Sequence, residues 1–134
     1  MNYITLYHLI FVVKIKNNMR VCILGAGLTS ITLAKALVNQ NIYVDVLFHK
    51  KTIELNQTRT LGISKSNVKY FNSSIIDINK ILWKLKKIKI FSDNLKDEKI
   101  IKFESQHDYL FSIIRNYELY KIIKKSLKND KYLK

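Results

Sequence analysis

The run Gly25-Ala-Gly27-Leu-Thr-Ser30 has the composition and spacing to hold a phosphate. Gly25 can take the tight turn that ends a strand. Gly27, with no β-carbon, leaves room for an anion to reach the first amides of a following helix, whose dipole favours negative charge. The pyrophosphate of a dinucleotide is the group such a turn suits. The third motif position is Ser30 where glycine or alanine is usual, and its small side chain still permits close helix-to-strand packing. Gly25, Ala26, Gly27, Leu28, Thr29 and Ser30 are therefore candidate cofactor-binding residues.

Such a turn works only between a strand and a helix, and the flanking sequence supplies both. Arg20-Val-Cys-Ile-Leu24 is a continuous apolar run, as expected of a parallel strand covered on both faces. From Leu28 the apolar positions Ile31, Leu33, Ala34, Leu37 and Val38 recur at helical spacing to about Gln40. Asn39-Gln-Asn41 ends that helix, and Tyr43 to Phe48 reads as a second strand, parallel to the first. Strand, helix and strand form one right-handed β-α-β unit. A bland reading, an ordinary strand-to-helix corner with two glycines, competes with the phosphate-binding one.

At the end of the second strand an acidic residue normally binds the adenosine ribose, but Phe48 occupies that place, followed by His49, Lys50 and Lys51. His49 and Lys50 are candidate cofactor contacts: a ribose would bond to His49 or to backbone, and the Lys50-Lys51 pair would instead favour a 2′-phosphate. Asp45, earlier in the strand, would need a register shift to substitute.

Downstream, residues 49–58 read as a loop. Thr60-Leu-Gly-Ile leads to Ser64, an N-cap for a short helix through Val68 and Phe71. Period-two alternation in Lys86-Lys-Ile-Lys-Ile-Phe and the run Ile100-Ile-Lys-Phe103 predict a β-hairpin. Phe111-Ser-Ile-Ile114 predicts a further strand, and Leu119, Ile122, Ile123 and Leu127 a final amphipathic helix whose lysines read as a solvated face. The predicted class is α/β: a Rossmann-like β-α-β unit with an additional hairpin, an incomplete domain. Residues 1–18 read as an N-terminal extension outside the fold, since Met19 stands directly before the motif strand, and residues 19–134 as a partial dinucleotide-binding domain with the start of a substrate-domain sheet.

Composition narrows the partners. The formal charge is +14, from 24 basic and 10 acidic residues, yet arginine occurs only at 20, 59 and 115. Scattered lysine among abundant Ile and Asn resembles A+T-rich coding drift, not the arginine forks of a base-reading surface, so no specific nucleic acid is expected. The one cysteine, Cys22, cannot form an intrachain disulfide and reads as a buried, inert thiol in a reducing cytoplasm. His8, His49 and His107 lie far apart, and no metal site follows. The apolar run Ile4 to Val13 is too short to cross a bilayer, which leaves a soluble or peripheral protein.

Val21-Cys-Ile-Leu-Gly-Ala-Gly-Leu-Thr-Ser30, with Ala34 and Leu37, resembles the opening of FAD-dependent aromatic-ring hydroxylases, in particular those of ubiquinone biosynthesis. Arg59-Thr-Leu-Gly-Ile-Ser64 is similar to that family's segment after the second strand, where an arginine approaches the flavin. Ser112-Ile-Ile-Arg-Asn-Tyr-Glu-Leu119 resembles the junction where a polar residue, here Asn116 or Arg115, lies near FAD. The resemblance covers residues 19 to 128, the N-terminal third of such an enzyme. It implies FAD as cofactor, NAD(P)H as reductant and a small aromatic substrate hydroxylated by the complete enzyme. The family's later Gly-Asp segment and most of its substrate domain have no counterpart here. The resemblance therefore implies a monooxygenase segment that does not hydroxylate alone, a downstream polypeptide completing its site. No catalytic residue is assigned. Two other readings compete: an NAD(P)-dependent oxidoreductase fragment, against which the hairpin argues, and a non-catalytic basic module that kept the fold and meets anionic lipid or nucleic acid through its lysines.

Overall fold

The computed structural model describes residues 10–15, 18–48, 56–91 and 99–134. Its centre is the expected unit. Strand β2 (Asn18–Leu24), helix α1 (Leu28–Asn39) and strand β3 (Tyr43–Leu47) follow one another, and the two strands pair in parallel from Arg20↔Tyr43 to Leu24↔Leu47. The helix stops where predicted: the amides of Gln40 and Asn41 bond back to Leu37 and Val38, and Asn41 takes a left-handed φ of 59°. Asparagine tolerates that conformation better than most residues. Asn39 ties this end of α1 down by donating from Nδ2 to the carbonyls of Ser74 and Ile75.

Burial along the strands corrects the expectation of two covered faces. Val21, Ile23 and Val44 are buried against α1, while Cys22 is only partly buried and Leu24 and Leu47 are exposed. A strand alternates its side chains, so a continuous apolar run gives no information on which face is covered. Here one face is covered among the described residues. Arg20 and Asp45 lie on the other, paired at 3.3 Å.

The edges of this sheet are occupied from both ends of the sequence. Strand β1 (Ile10–Ile15), in the segment expected to stand outside the fold, pairs antiparallel with β2 from Ile10↔Ile23 to Ile15↔Asn18. A parallel pair leaves the outer edge of its motif strand with unmet backbone donors and acceptors, and a neighbouring apolar run meets them. On the far side of β3, Val44 N–H donates to Tyr132 O at 2.7 Å, Lys134 N–H to Val44 O at 2.9 Å and Val46 N–H to Lys134 O at 2.9 Å. The bridge Val44↔Leu133 is parallel.

A second sheet has the order β4-β8-β5, formed by β4 (Thr60–Ile63), β8 (Phe111–Arg115) and β5 (Leu82–Leu85), all neighbours antiparallel. β8 is the strand expected over residues 111–114, whereas β4 and β5 have no strand pattern in the sequence. Ser64 caps the short helix α2 (Lys65–Tyr70) as predicted, accepting from the Asn67 amide at 3.3 Å, and a π-helical turn (Phe71–Ile75) continues it. The predicted hairpin is present as β6 (Lys87–Phe91) and β7 (Lys99–Glu104). One of its faces carries Ile88↔Phe103 and Ile90↔Ile101. The other carries Lys87↔Glu104 and Lys89↔Lys102, with Glu104 ion-paired to both Lys87 and Lys102. Those two lysines, Lys102 foremost, hold the Glu104 carboxyl below its ordinary range.

Helix α3 (Asn116–Leu127) follows β8 directly and locks the two sheets together. Its buried stripe of Leu119, Tyr120, Ile123 and Leu127 joins Val21, Ile31, Ala34, Val38 and Val44 in one core with Ile63, Val68, Ile78 and Ile114. Ile123 is fully buried at 0 % exposure. Ile123→Ala should therefore cost about 2–5 kcal/mol, seen as a lower urea midpoint at unchanged slope. A loss below about 1 kcal/mol would mean that α3 does not dock as described.

Candidate functional site

Gly25 is the pivot between β2 and α1. Its φ is +110°, a backbone conformation open to glycine and strained for other residues, and its amide donates to Leu47 O at 2.7 Å across the strand ends. A β-carbon there would also stand 3.3 Å from the Oγ of Ser30, which is buried at 3 % exposure. The serine in the third motif position thus fits under the turn.

Gly27 behaves differently. It is the N-cap of α1 in extended conformation, φ −69° and ψ 175°, and a β-carbon on it would meet nothing within 4 Å. The protein's own packing therefore does not require glycine there. No side chain caps the helix, no acidic residue lies in its first turn, and the space around a Gly27 β-carbon is open. Unmet first-turn donors beside a cleared volume are what a bound phosphate would use.

Two cavities flank this point. One, of about 740 Å³, is bounded by Ala26 and Ile31 of the turn and helix, Val46 and Phe48 of β3, Tyr120 of α3 and Leu133. That volume lies in the range of ligand sites for small molecules and cofactors. Burial raises the Tyr120 phenol above its ordinary value of 10, so it stays protonated. The other cavity, of about 490 Å³, lies on the opposite side of the helix start, between Leu28 and Thr29, Leu61 and Gly62 of β4, and Ile114 and Leu119.

The second and third segments singled out in the sequence converge. Thr60 pairs with Arg115, and the Asn116 amide donates to Arg59 O at 2.9 Å, so Arg59, Arg115 and Asn116 stand together at one end of the β4-β8 ladder. Arg115 lies over the Trp83 ring at 4.9 Å and 3.8 Å from Glu118. The Asn116 Oδ1 is buried without a hydrogen-bond partner among the described residues, as is the Ser112 Oγ on β8. Trp83, exposed beside Arg115, was not among the residues picked out by spacing. Only the unassigned β5 puts it there.

The end of β3 presents no carboxylate among the described residues. Phe48 is 54 % exposed at the end of β3, and Asp45 stays in register with Cys22 and is engaged by Arg20, so no shift brings it to the ribose position. His49 and Lys50 lie outside the described residues. Among the described residues no cluster of His, Cys, Asp or Glu could hold a metal, and no helix is long and apolar enough to cross a membrane.

The fold has a counterpart among solved structures. The fold is shared with a hydroxylase. The structure of 2,6-dihydroxypyridine-3-hydroxylase from Arthrobacter nicotinovorans superposes with a TM-score of 0.64 over 85% of this chain, at 14% sequence identity. The chain spans 28% of the length of that enzyme. No protein-family model and no curated protein matches the sequence.

The two glycines should separate under substitution. Gly25→Ala forces a side chain into the left-handed region and should cost about 1–3 kcal/mol of stability. Gly27→Ala, at an ordinary φ and with free space around it, should cost less than about 1 kcal/mol. Thermal melts of the two variants test this, and equal losses would remove the distinction between a structural and a ligand-facing glycine.

Proposed function

We propose that this chain carries the dinucleotide-binding part of a flavin-dependent aromatic hydroxylase, similar to the ubiquinone-biosynthesis hydroxylases, with FAD as the dinucleotide. The observation that carries the reading is the uncapped start of α1 opening onto the clear volume at Gly27, set between two cavities. The shared fold with a hydroxylase that acts on an aromatic heterocycle supports it.

In this reading the residues present fit the cofactor. The first-turn amides of Leu28, Thr29 and Ser30 would hold the pyrophosphate, and Ala26 would pass close beneath it. The larger cavity would take the adenosine against Val46, Phe48 and Leu133. Arg59, Arg115 and the unmet Asn116 Oδ1 would address the other half of the molecule, Asn116 by accepting a hydrogen bond from it. The flavin, when bound and reduced by NAD(P)H, supplies the oxygen chemistry of ring hydroxylation. What this chain's residues contribute is binding, orientation and an apolar wall against water. The aromatic substrate and the polypeptide that encloses it belong to the proposal for the whole enzyme, of which the hydroxylase comparison gives the scale.

Titration by flavin fluorescence tests the reading on the chain itself. FAD should bind weakly, be displaced by ADP and not by FMN, and not survive gel filtration. Gly27→Val, which puts two methyl groups where phosphate oxygens would stand, should weaken FAD by at least about tenfold, or 1.4 kcal/mol, with the fold intact by circular dichroism. Arg59→Ala should weaken it less and in a salt-dependent way. Unchanged FAD affinity in a folded Gly27→Val variant would reduce the turn to a structural corner, and displacement by FMN would place recognition elsewhere.

A further inference from the structure

The larger cavity has a second wall that the proposed function does not use. Lys121, Lys124, Lys125 and Lys128 line it from α3, and all four are exposed. Their spacing of three, four and seven positions puts them on one stripe of the helix, where like charges repel. Among the described residues no carboxylate neutralises that stripe. Among the described residues none of the four is ion-paired, Glu118 is engaged by Arg115 and Tyr117, and Asp130 accepts from the Tyr132 amide. Lys121 and Lys124 lie over the rings of Tyr117 and Tyr120, 5.3 and 5.8 Å from their centroids.

A stripe of like positive charge beside an apolar floor suits an anion that carries an apolar body. The position narrows which anion. The lysines share their cavity with Ala26 of the phosphate turn and with Phe48, which stands where a carboxylate would otherwise read the ribose hydroxyls. We infer that these four lysines are an anion-binding wall that takes the phosphates of an adenine nucleotide, so that the pocket selects its ligand by phosphate charge and not by ribose hydroxyls. The inference rests on the dinucleotide reading and adds residues and a selectivity to it. Strongly hydrated ammonium groups on flexible stems suit this role, since they act as point charges and need no single phosphate geometry.

Calorimetric titration of the whole chain with ADP, 2′-deoxy-ADP, ATP and inorganic tripolyphosphate reads the inference directly. ATP should bind more tightly than ADP, and 2′-deoxy-ADP should match ADP within about twofold. Tripolyphosphate should bind more weakly than ATP, because the apolar floor is left uncovered. The variant Lys121→Gln/Lys124→Gln/Lys125→Gln/Lys128→Gln should lose at least about tenfold in ADP affinity, while its ligand-free melting temperature rises as the repulsion is relieved. Arginine at the same four positions should keep the affinity. A purely structural role for the stripe would move the melting temperature the other way.

ADP affinity unchanged in the glutamine variant would overturn the wall. So would 2′-deoxy-ADP binding about tenfold more weakly than ADP, or tripolyphosphate binding as tightly as ATP. Lysine-dependent capture by phosphatidylserine vesicles that ADP does not compete would also overturn it, in favour of a membrane surface. ADP binding that Gly27→Val abolishes and the lysine change leaves alone sinks this inference only. No ADP binding by the native chain sinks the dinucleotide reading with it.

Discussion

One backbone conformation organises the molecule: the left-handed Gly25, whose amide reaches across to the Leu47 carbonyl. That hydrogen bond holds the ends of β2 and β3 level, and the positive φ swings the chain out of the sheet into α1. Everything that could bind a ligand is placed by this corner. The uncapped start of α1 and the clear space at Gly27 follow it directly. Ser30 is buried because it must fit beneath the glycine, and the two cavities lie to either side because α1 rises between them.

The same corner explains why the functional candidates are spread so widely along the sequence. α1 packs between the first sheet and α3, and α3 grows directly out of β8, which pairs with β4. Arg59 just before β4 and Asn116 at the start of α3 are therefore joined by one backbone hydrogen bond, and Tyr120, one turn further along α3, is buried beside the cavity at the glycine turn. A helix that serves as core on one stripe and as a charged cavity wall on another is under two demands at once. Leu119, Ile123 and Leu127 meet the first, and the lysines between them meet the second.

What could be read in advance was local. Gly25, the helical spacing from Leu28 and the Ser64 cap each act within a few residues, so the strand-helix-strand unit and the start of α2 were legible, as was the alternating β6-β7 hairpin. β4 and β5 were not. Each spans four residues, too few to show a period, and each is defined by β8 between them. The strand at Ile10–Ile15 was passed over because its pairing depends on an open edge of β2, which no sequence pattern displays. The lysines of α3 looked like an ordinary solvated face for a similar reason. Their spacing was plain, but their direction toward Ala26 and Phe48 depends on how α3 docks on α1 and β3.

The pairing of Tyr132 to Lys134 with β3 has a consequence for the order in which the molecule can form. β2, α1 and β3 are contiguous and need only local closure. The outer edge of β3, by contrast, is met by residues some 90 positions later, from Val44 to Lys134. A chain emerging from the ribosome would display that edge, next to exposed Leu47 and Phe48, until α3 had formed and turned the last residues back. Closing so long a loop comes late in folding because its entropy must be met before its contacts reward it. Until those residues turn back, that strand edge stands unpaired among the described residues, the kind of surface on which chaperones act and strands of other chains can add.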